Sequence, residues 1–345
     1  MIREIEKIIL ENGPRWEIPF FPPRGLFFIK TSGSKKSPTA QSVIFLVFDQ
    51  RSESPRWVVK VSRDSSTFSS LGKEYKNLLY FYHTLSPPIR KTLPRPLLSR
   101  ESDQGFLFIE GGLRGKVPPA FIRLEGSNAH EKEIGAIFDK VEGWLMQFQQ
   151  ETREGEIEVN DAWIEQEARI PWQVYRSRYP WTEREESFSE KSLKEWRRWI
   201  GTRIPRVGCH GDFWSGNFFL NGPTLSVFDW TFSKRGALPF DDLFLFISSL
   251  AVDFPAQNKG GDDTGSFEKI FFDPHWLRRK IQETLALFFS ELKLPPPLLS
   301  QLFPLFLLKM AIRKEGEYQI HSRRNPVWRE RLLSYIRNEE RFIHL

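Results

Sequence analysis

The spacing of hydrophobic residues is typical of strands in the first part of the chain and of helices in the remainder. Five apolar runs extend to residue 112, separated by polar, Gly- and Pro-containing stretches that favour turns: GLFFIKT, SVIFLVF, RWVVKVS, PRPLLSR and QGFLFIEGG. Between the third and fourth runs, LGKEYKNLLYFYHTL places Glu74, Leu78 and Phe81 on one face of a predicted helix. From about residue 120 the spacing is mainly helical, beginning with the apolar positions from Ile134 to Phe148.

This change of spacing predicts two lobes. The glycine-containing stretch EGGLRG at 110–115 lies between them and is predicted to act as a hinge. We therefore expect an α+β protein with a strand-rich N-terminal lobe over 1–110, in which 1–24 form an N-terminal extension. A mainly helical C-terminal lobe is expected over 111–345.

Composition narrows the class of protein. The 345 residues, 40% of them hydrophobic, suffice for one large bilobal domain or two closely packed domains. The net charge of +6 comes from basic and acidic residues that are well mixed, which suits a phosphorylated ligand as well as a nucleic acid. The single cysteine, Cys209, excludes an internal disulfide framework and a multi-cysteine zinc site, and a cytoplasmic location is predicted.

No segment of the sequence predicts export or a membrane span. The N-terminal residues MIREIEKIILEN have the spacing of a short amphipathic helix with both acidic and basic side chains, unlike a signal peptide. The most apolar segment, at 298–312, is interrupted by Gln301, Pro304 and Lys309 and is shorter than the roughly 20 residues that a membrane helix needs. It is predicted to be a buried helix.

Polar residues that could act in catalysis or metal binding concentrate in one segment, RVGCHGDFWSGNFFLNGPTLSVFDWTF. Short apolar strands flank two loops in this segment. His210, Asp212, Asn217 and Asp229 lie at the edges of these loops. Phosphoryl transfer from ATP requires a carboxylate that orients and deprotonates the acceptor hydroxyl, and oxygen ligands that hold Mg²⁺ against the phosphates. The segment offers both, although Asp and Asn also favour turns and helix caps.

The pattern H-G-D-x-x-x-x-N, followed by an apolar residue and D-W, resembles the aminoglycoside phosphotransferase and choline kinase superfamily, whose members are relatives of protein kinases. The resemblance implies a protein-kinase-like bilobal fold, with ATP and Mg²⁺ as cofactors. It implies that Asp212 is the catalytic base, that Asn217 and Asp229 bind Mg²⁺, and that His210 supports the loop. The motif H-G-D-x-W-S-G-N is also close to that of fructosamine kinases, which typically have Pro where this chain has Trp230.

A second stretch extends the resemblance. GALPFDDLFLF is similar to the superfamily's G-x-x-P-x-x-D-L sequence, with Gly236, Pro239 and Asp242 at the matching positions. Asp242 is expected to support the catalytic loop. It is also placed to cap the apolar helix that follows, and the two roles are compatible.

The kinase pattern requires a lysine that reaches the α- and β-phosphates and is paired with a helix carboxylate. Lys60 in WVVKVS and Glu74 in the predicted helix are the candidates. Glu74 shares a face with apolar residues and is expected to be buried, where an unpaired carboxylate would be costly. The alternative is that Lys60 and Glu74 are both exposed.

The remaining nucleotide contacts are implied by the resemblance. The phosphate loop is expected near KTSGSKKSPTAQS, where backbone N–H groups of Ser32, Gly33 and Ser34 would meet phosphate oxygens. This stretch lacks the protein-kinase glycine pattern, as it does in many members of the superfamily. Adenine is expected to contact backbone atoms around Ile109 and Gly111.

The leading hypothesis is a kinase that phosphorylates a hydroxyl of a sugar, aminoglycoside, amino alcohol or related metabolite. One alternative is a catalytically weak binding or regulatory protein on a kinase scaffold. Another is nucleic-acid binding through KEWRRW and HSRRNPVWRER, which charged helix faces explain more simply, so no nucleic-acid partner is expected. The tryptophan-rich stretch 151–199 either faces the acceptor or anchors surface helices.

Overall fold

The computed structural model describes residues 1–16, 25–32, 42–49, 52–103, 105–118, 128–253, 263–319 and 327–343. The chain divides into two compact units. The first comprises Met1–Pro118, His210–Asp212 and Gly216–Lys234, and the second comprises Pro119–Cys209, Phe213–Ser215 and Arg235–Leu345. The first unit therefore includes most of the predicted phosphotransfer segment, and the predicted lobe boundary after residue 110 stays a prediction.

A five-stranded antiparallel sheet forms the centre of the first unit, with strand order β1-β2-β3-β5-β4. The strands are β1 (Phe27–Ser32), β2 (Ser42–Phe48), β3 (Trp57–Ser62), β4 (Pro96–Ser102) and β5 (Gly105–Gly111). Each coincides with one of the five predicted runs. The central position of β3 buries Lys60.

The two faces of this sheet pack against different helices. One face forms an apolar core with the N-terminal helix α1 (Ile2–Asn12), in a cluster that includes Ile5, Ile8, Ile9, Trp57, Val59 and Ile109. The other face carries Lys60 and Phe108, which are paired across β3 and β5. Tyr75 of α2 (Ser65–Thr84) meets the Phe108 ring edge-on, with the ring centroids 5.5 Å apart. The charged face is thus the one under α2.

Helices make up most of the second unit, as the sequence spacing predicts. After the short α3 (Pro87–Arg90) of the first unit, the helices are α4 (Asn128–Glu151), α5 (Asp161–Ile164), α6 (Ile170–Arg178), α7 (Glu183–Trp196), α8 (Asp241–Asp253), α9 (Asp263–Phe272), α10 (Trp276–Glu291), α11 (Leu299–Gln319) and α12 (Val327–Arg337). The predicted stripe on α4 is buried at Ile134, Phe138 and Leu145. Trp163, Trp172 and Trp196 are also buried, which favours anchoring of helices as their role.

Short strands and turns form the segment that carries the polar motif. Besides β6 (Glu156–Glu158) and β7 (Arg203–Pro205), which pair with each other, the strands are β8 (Val207–Cys209), β9 (Phe218–Asn221), β10 (Thr224–Val227) and β11 (Lys234–Ala237). The hairpin of β9 and β10 separates two 3-10 turns, at Ser215–Asn217 and Trp230–Phe232. The first turn contains Asn217, and the second directly follows Asp229.

Within the part of the chain that the structure describes, no individual helix combines the length and apolarity of a membrane span. One pair, Trp276–Glu291 with Pro296–Arg313, meets that standard together but is bent by 116°.

Candidate active site

Lys60 lies in contact with two carboxylates. Its ammonium group forms an ion pair with Glu74 of α2 and another with Glu110 of β5, at 3.2 Å. Lys60 is only 8% exposed, and Glu74 and Glu110 are each 3% exposed. The structure therefore brings the predicted pair together in a buried position and adds a partner, Glu110, that the sequence analysis missed.

The position of Glu110 follows from the strand register. Lys60 is opposite Phe108, and Val58 is opposite Glu110. Lys60 and Glu110 are therefore diagonal neighbours on the same face of the sheet, close enough for long side chains to meet. Alternation along β5 would have placed Glu110 on the Lys60 face once this register was known.

A shortage of positive charge characterises this cluster. Burial works against the charged form of Lys60, but the carboxylates of Glu110, Glu74 and Asp229 outweigh it and raise the pKa of Lys60. The pKa of Glu74 is raised to about 7, chiefly by burial. The attraction of Lys60 lowers this pKa, and repulsion from Asp229 and Glu110 raises it further. The pKa of Glu110 is raised as well, chiefly by burial. The charges of Glu74, Glu110 and Asp229 all act on the single Lys60 ammonium group, and a further proton or cation would reduce the repulsion among these carboxylates.

Asn217 is folded back onto Asp212 by the first 3-10 turn. Its side-chain nitrogen Nδ2 donates to the backbone oxygen of Asp212 at 2.8 Å and to the carboxylate oxygen Oδ2 at 2.9 Å. The bond to Oδ2 fixes the orientation of the Asp212 carboxylate. Because the amide nitrogen is engaged in this way, the amide oxygen of Asn217 is the atom that can bind a cation.

Phe228 connects this turn to Asp229. Its backbone N–H donates to the carbonyl of Asn217 at 3.0 Å, and its carbonyl accepts a hydrogen bond from Nε2 of His210 at 3.0 Å. Since a carbonyl can only accept, His210 carries a proton on Nε2. The His210 ring is buried and meets the Trp230 ring edge-on, with centroids 4.8 Å apart. His210 thus contacts the residues on both sides of Asp229.

The backbone of Asp229 is in the left-handed region, with φ 66° and ψ 71°. A non-glycine residue rarely adopts this conformation, which costs energy and persists only where the surroundings enforce it. The carboxylate does not cap the turn that follows; Oδ1 instead accepts a hydrogen bond from the Thr231 hydroxyl at 2.9 Å. Helix capping therefore does not explain why an aspartate stands here.

Gly211 permits close approach of the two loops. Its φ of 78° is in the left-handed region, and a Cβ atom built on it would collide with the backbone of Phe232. Phe232 ends the 3-10 turn that follows Asp229. The glycine of the H-G-D pattern is therefore required by both its conformation and its contact.

Asp242 occupies the first turn of α8 in the second unit. It is buried, and its Oδ1 accepts a hydrogen bond from the thiol of Cys209 at 3.2 Å. Cys209 ends β8 and directly precedes His210 in the chain. Asp242 is therefore attached to the strand that leads into the motif, which suits the predicted supporting role.

The remaining residues predicted to contact the nucleotide are not part of the charged cluster, or lie outside the described residues. Ser32 ends β1, whereas Gly33 and Ser34 lie outside the described residues. Ile109 is fully buried in the core cluster on the face opposite Lys60, so its side chain is not part of the charged cluster. The N–H of Gly111 donates to the Arg95 carbonyl at 2.8 Å, so a nucleobase would have to use another atom there.

The oxygen atoms of Asp229 and Asn217 suit a cation that also binds a ligand of the protein. Among the described residues, no three His, Cys, Asp or Glu side chains come together as a protein-only metal site. One carboxylate, that of Asp229, and one amide oxygen, that of Asn217, would leave the remaining coordination positions to phosphate oxygens and water. Mg²⁺ in phosphoryl-transfer sites is held in this way.

Comparison with known proteins supports a phosphotransferase. Residues 38–263 match the family model described as the phosphotransferase enzyme family. No curated protein matches the chain.

Several solved structures resemble the whole chain. A candidate aminoglycoside phosphotransferase from Ralstonia eutropha is 12% identical, with a TM-score of 0.58 over 97% of this chain and 98% of that one. The apo form of a thermostable mutant of the aminoglycoside phosphotransferase APH(4)-Ia is 15% identical, with a TM-score of 0.56 over 97% and 99%. A further variant of that mutant, in a ternary complex with ADP and hygromycin B, is 15% identical, with a TM-score of 0.55 over 96% and 98%. These likenesses confirm the predicted α+β, protein-kinase-like fold.

We predict that Gly211→Ala is more destabilising than Gly222→Ala. Gly222 also has a left-handed φ, of 57°, but none of the described atoms lies within 4 Å of a Cβ built there. Gly222→Ala should cost about 1 kcal/mol of unfolding free energy. Gly211→Ala should cost about 2–4 kcal/mol, because overpacking adds to the backbone strain. Chemical denaturation measures both; equal losses would contradict the close approach to Phe232.

We also predict that Glu74 makes stability depend on pH. A carboxyl whose pKa rises from 4.5 to about 7 on folding stabilises the fold below pH 4.5, and this contribution is lost as pH rises through 7. The unfolding free energy of the wild type should therefore fall, relative to that of Glu74→Gln, over this interval. Denaturation at a series of pH values measures the difference, and Glu101→Gln, at an exposed position, controls for removal of a charge. A difference that is constant or increases with pH would refute the prediction.

Proposed function

Because the chain belongs to the phosphotransferase enzyme family, we propose that it transfers the γ-phosphoryl group of ATP to a hydroxyl of a small molecule, with Asp212 as the catalytic base. One observation carries this proposal. Phe228, the residue before Asp229, is hydrogen-bonded through its backbone N–H to Asn217 and through its carbonyl to His210. Asn217 is in turn bonded to Asp212. These hydrogen bonds, with the peptide link from Phe228 to Asp229, therefore connect the proposed base with the two proposed Mg²⁺ ligands.

Each of these residues has a distinct task in the proposed reaction. The Asp212 carboxylate orients the acceptor hydroxyl and receives its proton as the oxygen attacks the γ-phosphorus. A bond forms between the acceptor oxygen and phosphorus, the bond from phosphorus to the β–γ bridging oxygen breaks, and ADP departs with the electron pair. Asn217 keeps the Asp212 carboxylate oriented through the bond to Oδ2, at 2.9 Å.

Asp229 and the amide oxygen of Asn217 would hold Mg²⁺ in this proposal. When bound, Mg²⁺ neutralises charge on the phosphate oxygens and on the departing ADP. Lys60 would contact the α- and β-phosphates, and Glu74 and Glu110 would hold its ammonium group in place. The shortage of positive charge around Lys60 supports cation binding in this part of the first unit.

The phosphoryl donor and the acceptor class are proposed from a comparison with a solved structure. The APH(4)-Ia structure that contains ADP and hygromycin B supports an adenine nucleotide as donor and an aminoglycoside as one acceptor to test. Sugars, amino alcohols and related metabolites remain in the proposed class. Membership of the fructosamine kinases and a cytoplasmic location also stay predictions.

We predict that Asp212→Asn lowers turnover by at least about a hundredfold, as expected for loss of a general base, while nucleotide binding is retained. ATP consumption is first measured with Mg²⁺ and a panel of sugars, aminoglycosides and amino alcohols, to find an acceptor for the wild type. Turnover of the variant is then measured with that acceptor. Nucleotide binding is followed by thermal stabilisation of the protein with Mg²⁺ and ADP.

Asp103→Asn is the matched control, because Asp103 lies at an exposed turn between β4 and β5 and the same charge is removed. Its turnover should equal that of the wild type. Undiminished turnover in Asp212→Asn would refute the role of Asp212 as base. A wild-type protein that binds nucleotide yet phosphorylates no acceptor in the panel would favour the alternative of a binding or regulatory protein on a kinase scaffold.

A further inference from the structure

Asn77 connects the helix of Glu74 to the backbone that follows Asp229. Its side-chain nitrogen Nδ2 donates to the carbonyl of Ser233 at 3.0 Å and to the carbonyl of Trp230 at 3.2 Å, and it lies 3.5 Å from the carbonyl of Thr231. Trp230 is 153 positions away from Asn77 in the sequence. An amide nitrogen has two hydrogens, so the two shorter contacts use its full donor capacity.

Asn77 is part of a single face of α2. It lies three positions after Glu74, which pairs with Lys60, and four positions before Phe81. The Phe81 ring packs on the Trp230 ring, with centroids 5.3 Å apart. One helix face therefore contacts both the lysine proposed to bind phosphate and the turn next to the aspartate proposed to bind Mg²⁺.

The conformation of Asp229 explains why such a contact is needed. Its left-handed backbone is strained, and strain of this kind persists only if the neighbouring structure holds it. The turn supplies part of that support, since both the backbone N–H and the hydroxyl of Ser233 donate to the Trp230 carbonyl, at 3.2 and 2.8 Å. These contacts are internal to the turn and do not fix its position relative to α2. Asn77 supplies a directional contact from outside the turn.

We propose that Asn77 is a positioning residue, which holds the turn at 230–233 so that the Asp229 carboxylate is set for Mg²⁺ binding. The contact of Asn77 with the turn rests on the hydrogen bonds alone. Its effect on Mg²⁺ binding rests on the proposed function. Asn77 is not expected to touch the nucleotide or the acceptor. Its effect is exerted on the Mg²⁺ requirement through Asp229, rather than on the proton transfer at Asp212.

The test uses Asn77→Asp, which keeps the shape of the side chain and replaces its donor group with an acceptor that repels the carbonyls. Asn12→Asp is the matched control, because Asn12 is also half-buried and its Nδ2 also donates to a backbone carbonyl, that of Ile8 at 2.8 Å. Asn77→Leu is a second variant of similar size that lacks the donor without adding charge, in case the aspartate prevents folding.

Hydrogen exchange of the ligand-free protein is the first readout. Amides in 229–234 should exchange about five- to thirtyfold faster in the Asn77 variants than in the wild type, the factor expected for one or two lost hydrogen bonds. Exchange in β2 should be unchanged, which separates a local effect from general destabilisation. If 229–234 exchange as slowly in the Asn77 variants as in Asn12→Asp, the proposal is overturned, whatever the activity of the protein.

The Mg²⁺ requirement is the second readout. The Mg²⁺ concentration for half-maximal thermal stabilisation by ADP should rise by about five- to thirtyfold in the Asn77 variants. Turnover at saturating Mg²⁺ should fall much less than in Asp212→Asn. Faster exchange with an unaltered Mg²⁺ requirement would overturn the positioning role. No Mg²⁺-dependent stabilisation in the wild type would instead contradict the proposed function, and the exchange result would still decide whether Asn77 holds the turn.

Discussion

The ion pairs of the buried Lys60 ammonium are the interaction on which the first unit depends. Glu74 comes from α2 and Glu110 from β5, so one side chain on β3 joins a helix and a neighbouring strand. Each charge would be costly in this environment without the others. Removing Lys60 would leave buried carboxylates without a counter-charge, so this residue stabilises the first unit and, in our proposal, also contacts the phosphates.

Negative charge exceeds positive charge around Lys60, and this imbalance bears on what the site can bind. Asp229 adds a further negative charge, which raises the pKa of both Lys60 and Glu74. A site with surplus carboxylates is poorly satisfied by protein groups alone and gains from binding a cation. The phosphates that accompany the cation would in turn interact with Lys60, so nucleotide and metal are expected to bind together.

The sequence predicted local elements and missed contacts that depend on register or on distant segments. The five strands and the helix of Glu74 were predictable because apolar spacing along a few residues determines them, and burial of Glu74 followed from its position on an apolar face. Glu110 could not be identified as a partner of Lys60 without the pairing of β3 with β5. Asn77 was missed because nothing in the local sequence indicates a hydrogen bond to carbonyls 153 positions or more away. The engagement of the Gly111 N–H with Arg95 likewise depends on tertiary structure.

In the proposed site, Asp229 and Asn217 bind one Mg²⁺ ion together with the phosphates of a nucleotide, beside an Asp212 carboxylate that Asn217 orients. A crystal structure of the protein with Mg²⁺ and a non-hydrolysable ATP analogue tests it most directly. We expect Mg²⁺ at about 2.0–2.1 Å from an Asp229 carboxylate oxygen, from the Asn217 amide oxygen and from phosphate oxygens. Nucleotide bound with its metal away from Asp229 and Asn217 would contradict the account.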